Sequence, residues 1–170
     1  MARPKTPEQV AELNALMREL LTYDPSTGVF VWKVKRRSVF AGDIAGSLDP
    51  AGYRIIAIAK KDYGAHNLAW LWMTGEWPAA EVDHKDLVKS NNAWLNLRAA
   101  TRSQNCANKG VPANSILGIK GVGWSNGKYR ARIYVNRKTV CLGGYDNIAD
   151  ASAAVKSAGV KYYGEFYNAV

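Results

Sequence analysis

Asp83 and His84 stand side by side, and amide side chains follow at short offsets: Asn91 and Asn92 in Ser90-Asn91-Asn92, Asn96 in Asn96-Leu97-Arg98, and Asn105 at the end of Thr101-Arg102-Ser103-Gln104-Asn105. A carboxylate beside an imidazole, with amides to hold both, supplies what hydrolysis of a phosphodiester needs: an oxygen ligand for a hard cation and a proton acceptor. Strand side chains alternate in direction, so two adjacent residues can serve one site only where a strand ends or bends. The spacing therefore puts a strand terminus at Asp83-His84. The same residue types also serve as helix caps and turn formers, and only the whole string argues for chemistry.

That string, from Val82-Asp83-His84-Lys85-Asp86 to Asn105, resembles the HNH nuclease motif, in which a hairpin carries Asp-His and an Asn and a following helix carries the last Asn or His. The resemblance implies that Asp83 and Asn105 hold one divalent metal, Mg²⁺ by preference with Mn²⁺ as an alternative. It implies further that His84 is the general base and that the side-chain carbonyl of Asn96 orients its imidazole. Each role has a physical reason. A base that accepts a proton at one ring nitrogen carries its own proton on the other, and an amide oxygen fixes that tautomer. Asn105, four residues into a helix beginning near Thr101 or Arg102, would complete an oxygen set with water and phosphate. In relatives the loop commonly reads Asp-His-Ile-Asp-Gly-(Asp/Asn)-x-Ser-Asn-Asn, whereas Lys85, Leu87 and Val88 stand here in place of Ile, Gly and a polar residue. Without that Gly, the loop takes another path or carries strain. Upstream, Asn67 replaces the Arg of His-Arg-Leu-Ala-Trp, removing a phosphate contact, and His66 is expected to be a packed or capping histidine rather than a second catalytic one.

The elements that must position these residues follow from periodicity. Thr6-Pro7-Glu8-Gln9 opens a helix over about 7–21, with Val10, Leu13, Met17, Leu20 and Leu21 at helical spacing. Tyr23 to Gly28 reads as a turn, Val29 to Trp32 as a strand, Asp49 to Gly52 as a turn and Tyr53 to Ile58 as a second strand. Lys61 to Gly64 reads as another turn, and Ala65 to Met73 as an apolar helix stopped by Gly75 and Pro78. The basic run Lys33, Lys35, Arg36 and Arg37 is placed for phosphate contact if the small sheet lies along a duplex.

A short linker, Val111 to Ser115, separates a region with its own logic. Three short strands, 121–124, 128–135 and 139–145, precede a helix from about Ile148 to Tyr163. In the second strand Ala131, Ile133 and Val135 share one face, and Arg130, Arg132 and Tyr134 the other. Gly121-Val122-x-Trp124, Tyr129 to Ile133, Leu142-Gly143-x-Tyr145, the Ala-rich helix and Tyr163-Gly164-Glu165-Phe166-x-Asn168 resemble the ethylene-response-factor (apetala-type) DNA-binding domain, also found appended to phage HNH nucleases. The resemblance implies a sheet laid in the major groove, with Trp124, Arg130, Arg132, Arg137 and Lys138 as contacts; Arg102 joins them as a DNA-contact candidate on the preceding helix.

Composition agrees with a polyanionic partner. The 170-residue chain is 48% hydrophobic and 22% charged, with a formal net charge of +9 and pI near 9.6. Lys and Arg in excess gain affinity by releasing counterions condensed on a phosphate backbone. No apolar run approaches the ~20 residues of a membrane span and no secretory leader opens the chain, so a cytoplasmic, non-secreted setting is expected. Cys106 and Cys141 are the two cysteines, too isolated for a disulfide framework or a zinc ribbon. Cys106 is expected to be a small buried helix residue.

The expected fold class is α+β: residues 1–111 as an HNH unit, with an N-terminal helix, a small antiparallel sheet and a ββα-metal core at about 80–109; a linker at 112–116; and residues 117–170 as a three-stranded antiparallel sheet packed on one helix. The expected function is that of a homing-type HNH endonuclease cutting double-stranded DNA as a monomer or homodimer. The alternatives are a DNA-binding regulator with a decayed nuclease loop, or an RNA-binding module.

Overall fold

The computed structural model describes residues 1–4, 6–35, 39–112 and 115–168. The chain divides into two compact units, Met1–Ala99 and Ala100–Val170.

In the first unit, helix α1 spans Pro7–Leu20, with the Thr6 hydroxyl accepting from Gln9 N at 3.3 Å and Leu13 and Met17 on its buried face. It runs directly into the hairpin of β1 (Leu21–Asp24) and β2 (Val29–Trp32), paired antiparallel with Tyr23 opposite Phe30. The expected turn thus starts later than Tyr23. The Asp24 carboxylate closes it by accepting from Ser26 N, Ser26 Oγ and Thr27 Oγ1, while Tyr23 stays in register and stacks on Phe30 with ring centroids 4.6 Å apart.

A second sheet pairs β3 (Ser47–Leu48), β4 (Arg54–Ile58) and β5 (Lys61–Gly64) antiparallel in that order. Lys61 to Gly64 is therefore strand, not turn. The reversal occurs one step earlier, at Ala59 and Lys60, whose φ of 49° and 61° match the twist of a two-residue hairpin loop although neither residue is a turn former. Helix α2 (Ala65–Thr74) follows and stops at Gly75, whose φ of 77° is easy for glycine. Phe30, Met17, Leu21, Ile56, Ile58, Leu68 and Leu71 form the fully buried centre of this unit. Strand β6 (Glu81–His84) then pairs with β7 (Leu97–Ala100), and the chain between them closes through a single 3-10 turn, Trp94–Asn96.

In the second unit, Thr101 and Gln104 form a reciprocal capping box that starts α3 (Arg102–Asn108). Strands β8 (Val122–Ser125), β9 (Lys128–Val135) and β10 (Lys138–Tyr145) form an antiparallel sheet in the order β10-β9-β8. Helix α4 (Ile148–Tyr163), started by Asn147 accepting from Asp150 N at 2.8 Å, covers one face. Val122, Ala131, Ala151 and Val155 are the buried centre, and Ile133 is buried as well.

The division between units falls ahead of α3 rather than at 112–116, and residues 113 and 114 of that linker lie outside the described residues. The reason is local. The Lys120 ammonium donates to the carbonyls of Ala107 and Lys109 at the end of α3 and to that of Asn168, Ser103 Oγ lies 2.9 Å from the Tyr163 hydroxyl, and Asn168 N donates to Ala107 O. A cation collecting orphan carbonyls at a helix C-terminus fixes that end electrostatically. Cys106, expected to be buried on this helix, is exposed, because Ala107 and Asn108 take the packed face.

Candidate functional site

Strand β6 ends at His84, as the alternation argument requires, and Val82, Asp83 and His84 are all buried. The turn after it is tight: Leu87 N donates to His84 O at 3.1 Å, and Leu87 adopts φ of 65°. The loop without its glycine therefore carries strain at Leu87, in a region that costs a non-glycine residue roughly 1–2 kcal/mol. What holds it is Asp86. Its carboxylate accepts from Asn91 Nδ2 (2.6 Å), Val88 N (2.9 Å) and Asn96 Nδ2 (2.9 Å), and its own N–H donates to Asn96 Oδ1 at 3.1 Å. Burial alone would raise the Asp86 pKa, but the bonds from Asn91, Val88 and Asn96 outweigh it and hold the carboxyl below its usual range.

Asn96 is thus spent on the loop, its Nδ2 also donating to Asn91 O at 2.8 Å. The amide at the imidazole is that of Asn92, whose Oδ1 lies 3.2 Å from His84 Nε2. This corrects the expectation for Asn96, and the physical reason is reach: Asn96 sits opposite the loop, with its backbone O accepting from Lys85 N at 2.9 Å and its side chain turned to Asp86. Asn92 is 1% exposed and held from several sides. Tyr23 OH donates to its carbonyl at 2.8 Å, its Nδ2 donates to Ser90 O at 3.0 Å, and Trp94 N donates to Pro25 O at 2.8 Å. Gly28, at φ of 74°, lies so close that a Cβ there would stand 2.1 Å from Ala93 N and 2.2 Å from Asn92 C. The β1–β2 turn is the seat of the amide.

His84 is 5% exposed, and burial lowers its pKa against the raising effect of the Asn92 contact, so the imidazole is neutral in neutral solution. Its ring lies 6.0 Å from Tyr53 and 5.4 Å from His66, centroid to centroid. Asp83, 5% exposed, accepts from Arg98 Nε at 2.9 Å in a buried ion pair. Residue order alone gives neither Asn92 nor Arg98 a role distinct from its neighbours. Asn92 is the second Asn of Asn91-Asn92, and its distinguishing signal is the neighbouring Asn91-Asp86 bond, which three-dimensional closure alone reveals.

The donors present suit a hard cation. A carboxylate has roughly four lone-pair sites, and Asp83 meets Arg98 through Oδ2. Among the described residues there is no group of three or more His, Cys, Asp and Glu able to hold a metal. A small divalent ion that keeps several waters and needs one or two carboxylates plus a substrate phosphate fits such a sparse set. Asn105 lies on α3 in the second unit.

Of the candidate cations in the first unit, Lys33 Nζ donates to Arg18 O near the end of α1, and Lys35 Nζ stands 5.1 Å from the centre of the Phe40 ring. Arg36 and Arg37 lie outside the described residues. In the second unit, Arg130 and Arg132 are exposed on the face opposite buried Ala131 and Ile133. Arg130 is flanked across the sheet by Gly123 and Gly144, and a Cβ on Gly144 would meet its Nη1 at 2.8 Å, so the guanidinium lies down over β10. Arg137 occupies the β9–β10 turn at φ of 64°, and a groove of about 840 Å³ is lined by it together with Arg102 and Arg132. Trp124 does not share the arginine face. It pairs with Tyr129, in line with Val122 and Ala131, and contacts the Tyr129 ring edge-on at 4.6 Å; it is 56% exposed on the helix-covered side. Lys138, opposite Val135 at the start of β10, is exposed and falls on that side too.

A family model described as HNH endonuclease matches residues 63–107. The match takes in Asp83, His84, Asn92, Asn96 and Asn105 and supports likeness to the HNH nucleases over this segment. No curated protein and no solved structure matches the chain.

Proposed function

We propose that the chain is a metal-dependent DNA endonuclease that hydrolyses phosphodiester bonds. The observation that supports this best is a buried, neutral His84 with Nε2 on the Asn92 amide oxygen, beside the Asp83 carboxylate, in the segment that matches the HNH endonucleases. With Nε2–H donated to Asn92, the lone pair is left on Nδ1, which takes the proton of the attacking water. Asp83 and Asn105 are the proposed metal ligands, and Mg²⁺ is the proposed ion. When bound, the ion would stabilise negative charge on the scissile phosphate and on the leaving 3′ oxygen. The strand breaks to 5′-phosphate and 3′-hydroxyl ends, and one such site cuts one strand. Arg98 balances the buried Asp83 charge and fixes its orientation. The sheet face bearing Arg130 and Arg132 is proposed to bind the duplex in the manner of an ethylene-response-factor-type domain, with Arg102 and Arg137 on phosphates.

The Arg98 pairing also favours a second reading, a DNA-binding protein whose carboxylate is committed to an internal ion pair. Incubation of supercoiled plasmid with the full chain, with and without Mg²⁺ or Mn²⁺, separates the two. Conversion to open circles only with metal supports the nuclease; a shifted but uncut plasmid supports the binder.

A further inference from the structure

Tyr53 stands between the turn that ends at Gly52 and strand β4, and it is held from several sides. Its N–H donates to Asp49 Oδ1 at 2.8 Å, and its carbonyl accepts from Asp49 N at 2.8 Å. Its ring is tilted at 52° against two imidazoles, His66 at 5.4 Å and His84 at 6.0 Å between centroids. His66 is buried on α2 and serves as packing for both of the other rings. Lys89, on the loop after β6, donates to Ala51 O at 2.9 Å and sets its ammonium 5.1 Å from the centre of the Tyr53 ring. The tyrosine is thereby tied to the loop that carries the His84 site.

The ring is fixed while its hydroxyl is not committed. The Tyr23 hydroxyl donates to Asn92 O, whereas that of Tyr53, a partly buried residue, makes no hydrogen bond among the described residues. Burial, with the carboxylates of Asp49, Asp83 and Glu81, pushes its pKa above the ordinary phenol value, so the group keeps its proton. A scissile phosphate is an anion that must come up to the Asp83 carboxylate and a neutral imidazole. It needs donors aimed at its non-bridging oxygens, and a neutral phenol supplies one without adding a base to compete with His84. Tyr53 lies outside residues 63–107, so the family match assigns it nothing. We propose that Tyr53 is a further catalytic residue, donating its hydroxyl hydrogen to a non-bridging oxygen of the scissile phosphate, with the Lys89 ammonium alongside to attract it. The inference rests on the nuclease reading given above.

The test uses the full-length chain, with Tyr53→Phe beside the wild type, because phenylalanine keeps the ring and its contacts with His66 and His84 and removes only the hydroxyl. With supercoiled plasmid and Mg²⁺, Tyr53→Phe should lower kcat by about 10–100-fold, what one hydrogen bond to a charged group is worth. Its KM should be nearly unchanged, since phosphate contacts elsewhere dominate affinity. Its melting temperature should match that of the wild type. A second measurement reads the contact without turnover: in protein labelled with ¹³C at tyrosine Cζ, the resonance missing from Tyr53→Phe should shift when a short mixed-sequence duplex is added with Ca²⁺ in place of Mg²⁺. Wild-type kcat in Tyr53→Phe, a kcat loss no larger than its loss of folded protein, or a Tyr53 resonance indifferent to DNA would overturn the inference and leave the nuclease reading standing. Absence of metal-dependent cleavage by the wild type would overturn both.

Discussion

The two arginine-bearing regions of the molecule are built to opposite rules. Around His84, polar side chains are buried and tied to one another: Asp83 to Arg98, Asn92 to His84, and Asp86 to both Asn91 and Asn96. On β9, Arg130 and Arg132 are exposed, and the buried alternate positions are Ala131 and Ile133, so the sheet is held together from its other face. Chemistry needs groups fixed to a fraction of an ångström, which burial and cross-bonding provide. Long-range attraction to a polyanion needs charge left in water, where it can be given up to a phosphate or a base edge. Removing one of the buried, cross-bonded polar groups at His84 should therefore change stability and turnover together, whereas a substitution on the arginine face should change binding alone.

The largest break of that contrast is His84→Ala. Cleavage should fall by about 10²–10⁴-fold in single-turnover assays while affinity for duplex DNA, measured by fluorescence anisotropy, stays within about twofold. Retained cleavage would remove His84 from the chemistry. Asp83→Ala comes next, because it strikes both properties: it removes the proposed metal ligand and leaves Arg98 charged and without its carboxylate. Breaking a buried pair typically costs about 3–5 kcal/mol, so denaturant titration should show a marked loss of stability together with loss of cleavage. An unchanged midpoint would mean that the pair is solvated in solution.

Asn92→Ala and Asn96→Ala distinguish the two amides. The first should cost about 10–100-fold in cleavage rate by freeing the imidazole, and more than the second, which acts on the loop. The reverse ranking in rapid-quench kinetics would return the orienting role to Asn96. On the exposed face, Arg130→Ala and Arg132→Ala should each cost roughly 1–3 kcal/mol of binding at a preferred site if the guanidinium reads a base edge, with no change in thermal stability. Uniform weakening across random sequences would make them phosphate contacts instead. The smallest effect is expected at Leu87→Gly. It relieves left-handed strain of about 1 kcal/mol, partly offset by the looser unfolded chain of glycine, and should raise the denaturation midpoint slightly with cleavage intact.

Much of this contrast could be read from residue order. Alternation separated Arg130 and Arg132 from Ala131 and Ile133, the Thr101-x-x-Gln104 pattern marked the start of α3, and the adjacency of Asp83 and His84 required a strand end there. What escaped were features decided by contact across the chain. Ala59 and Lys60 turn the chain because β4 and β5 pair on either side, not because of their own preference. Trp124 looked like a partner of the arginines, but the register with Tyr129 puts it on the other face. Asn92 and Asn96 have the same side chain, and only the fold of the loop between β6 and β7 decides which one meets the imidazole.

Asp86 bears on how such sites can be found. Its carboxylate gathers Asn91, Val88 and Asn96 into one knot, and that knot, rather than a glycine, dictates the left-handed step at Leu87. The loop's shape is thus held by three mutually bonded polar residues, and the residue at the bend bears about a kilocalorie of strain. A search pattern that demands glycine after Asp86 would pass over this chain. One that demands the Asp86, Asn91 and Asn96 spacing would retain it, along with any other chain that has exchanged the flexible residue for an anchored one.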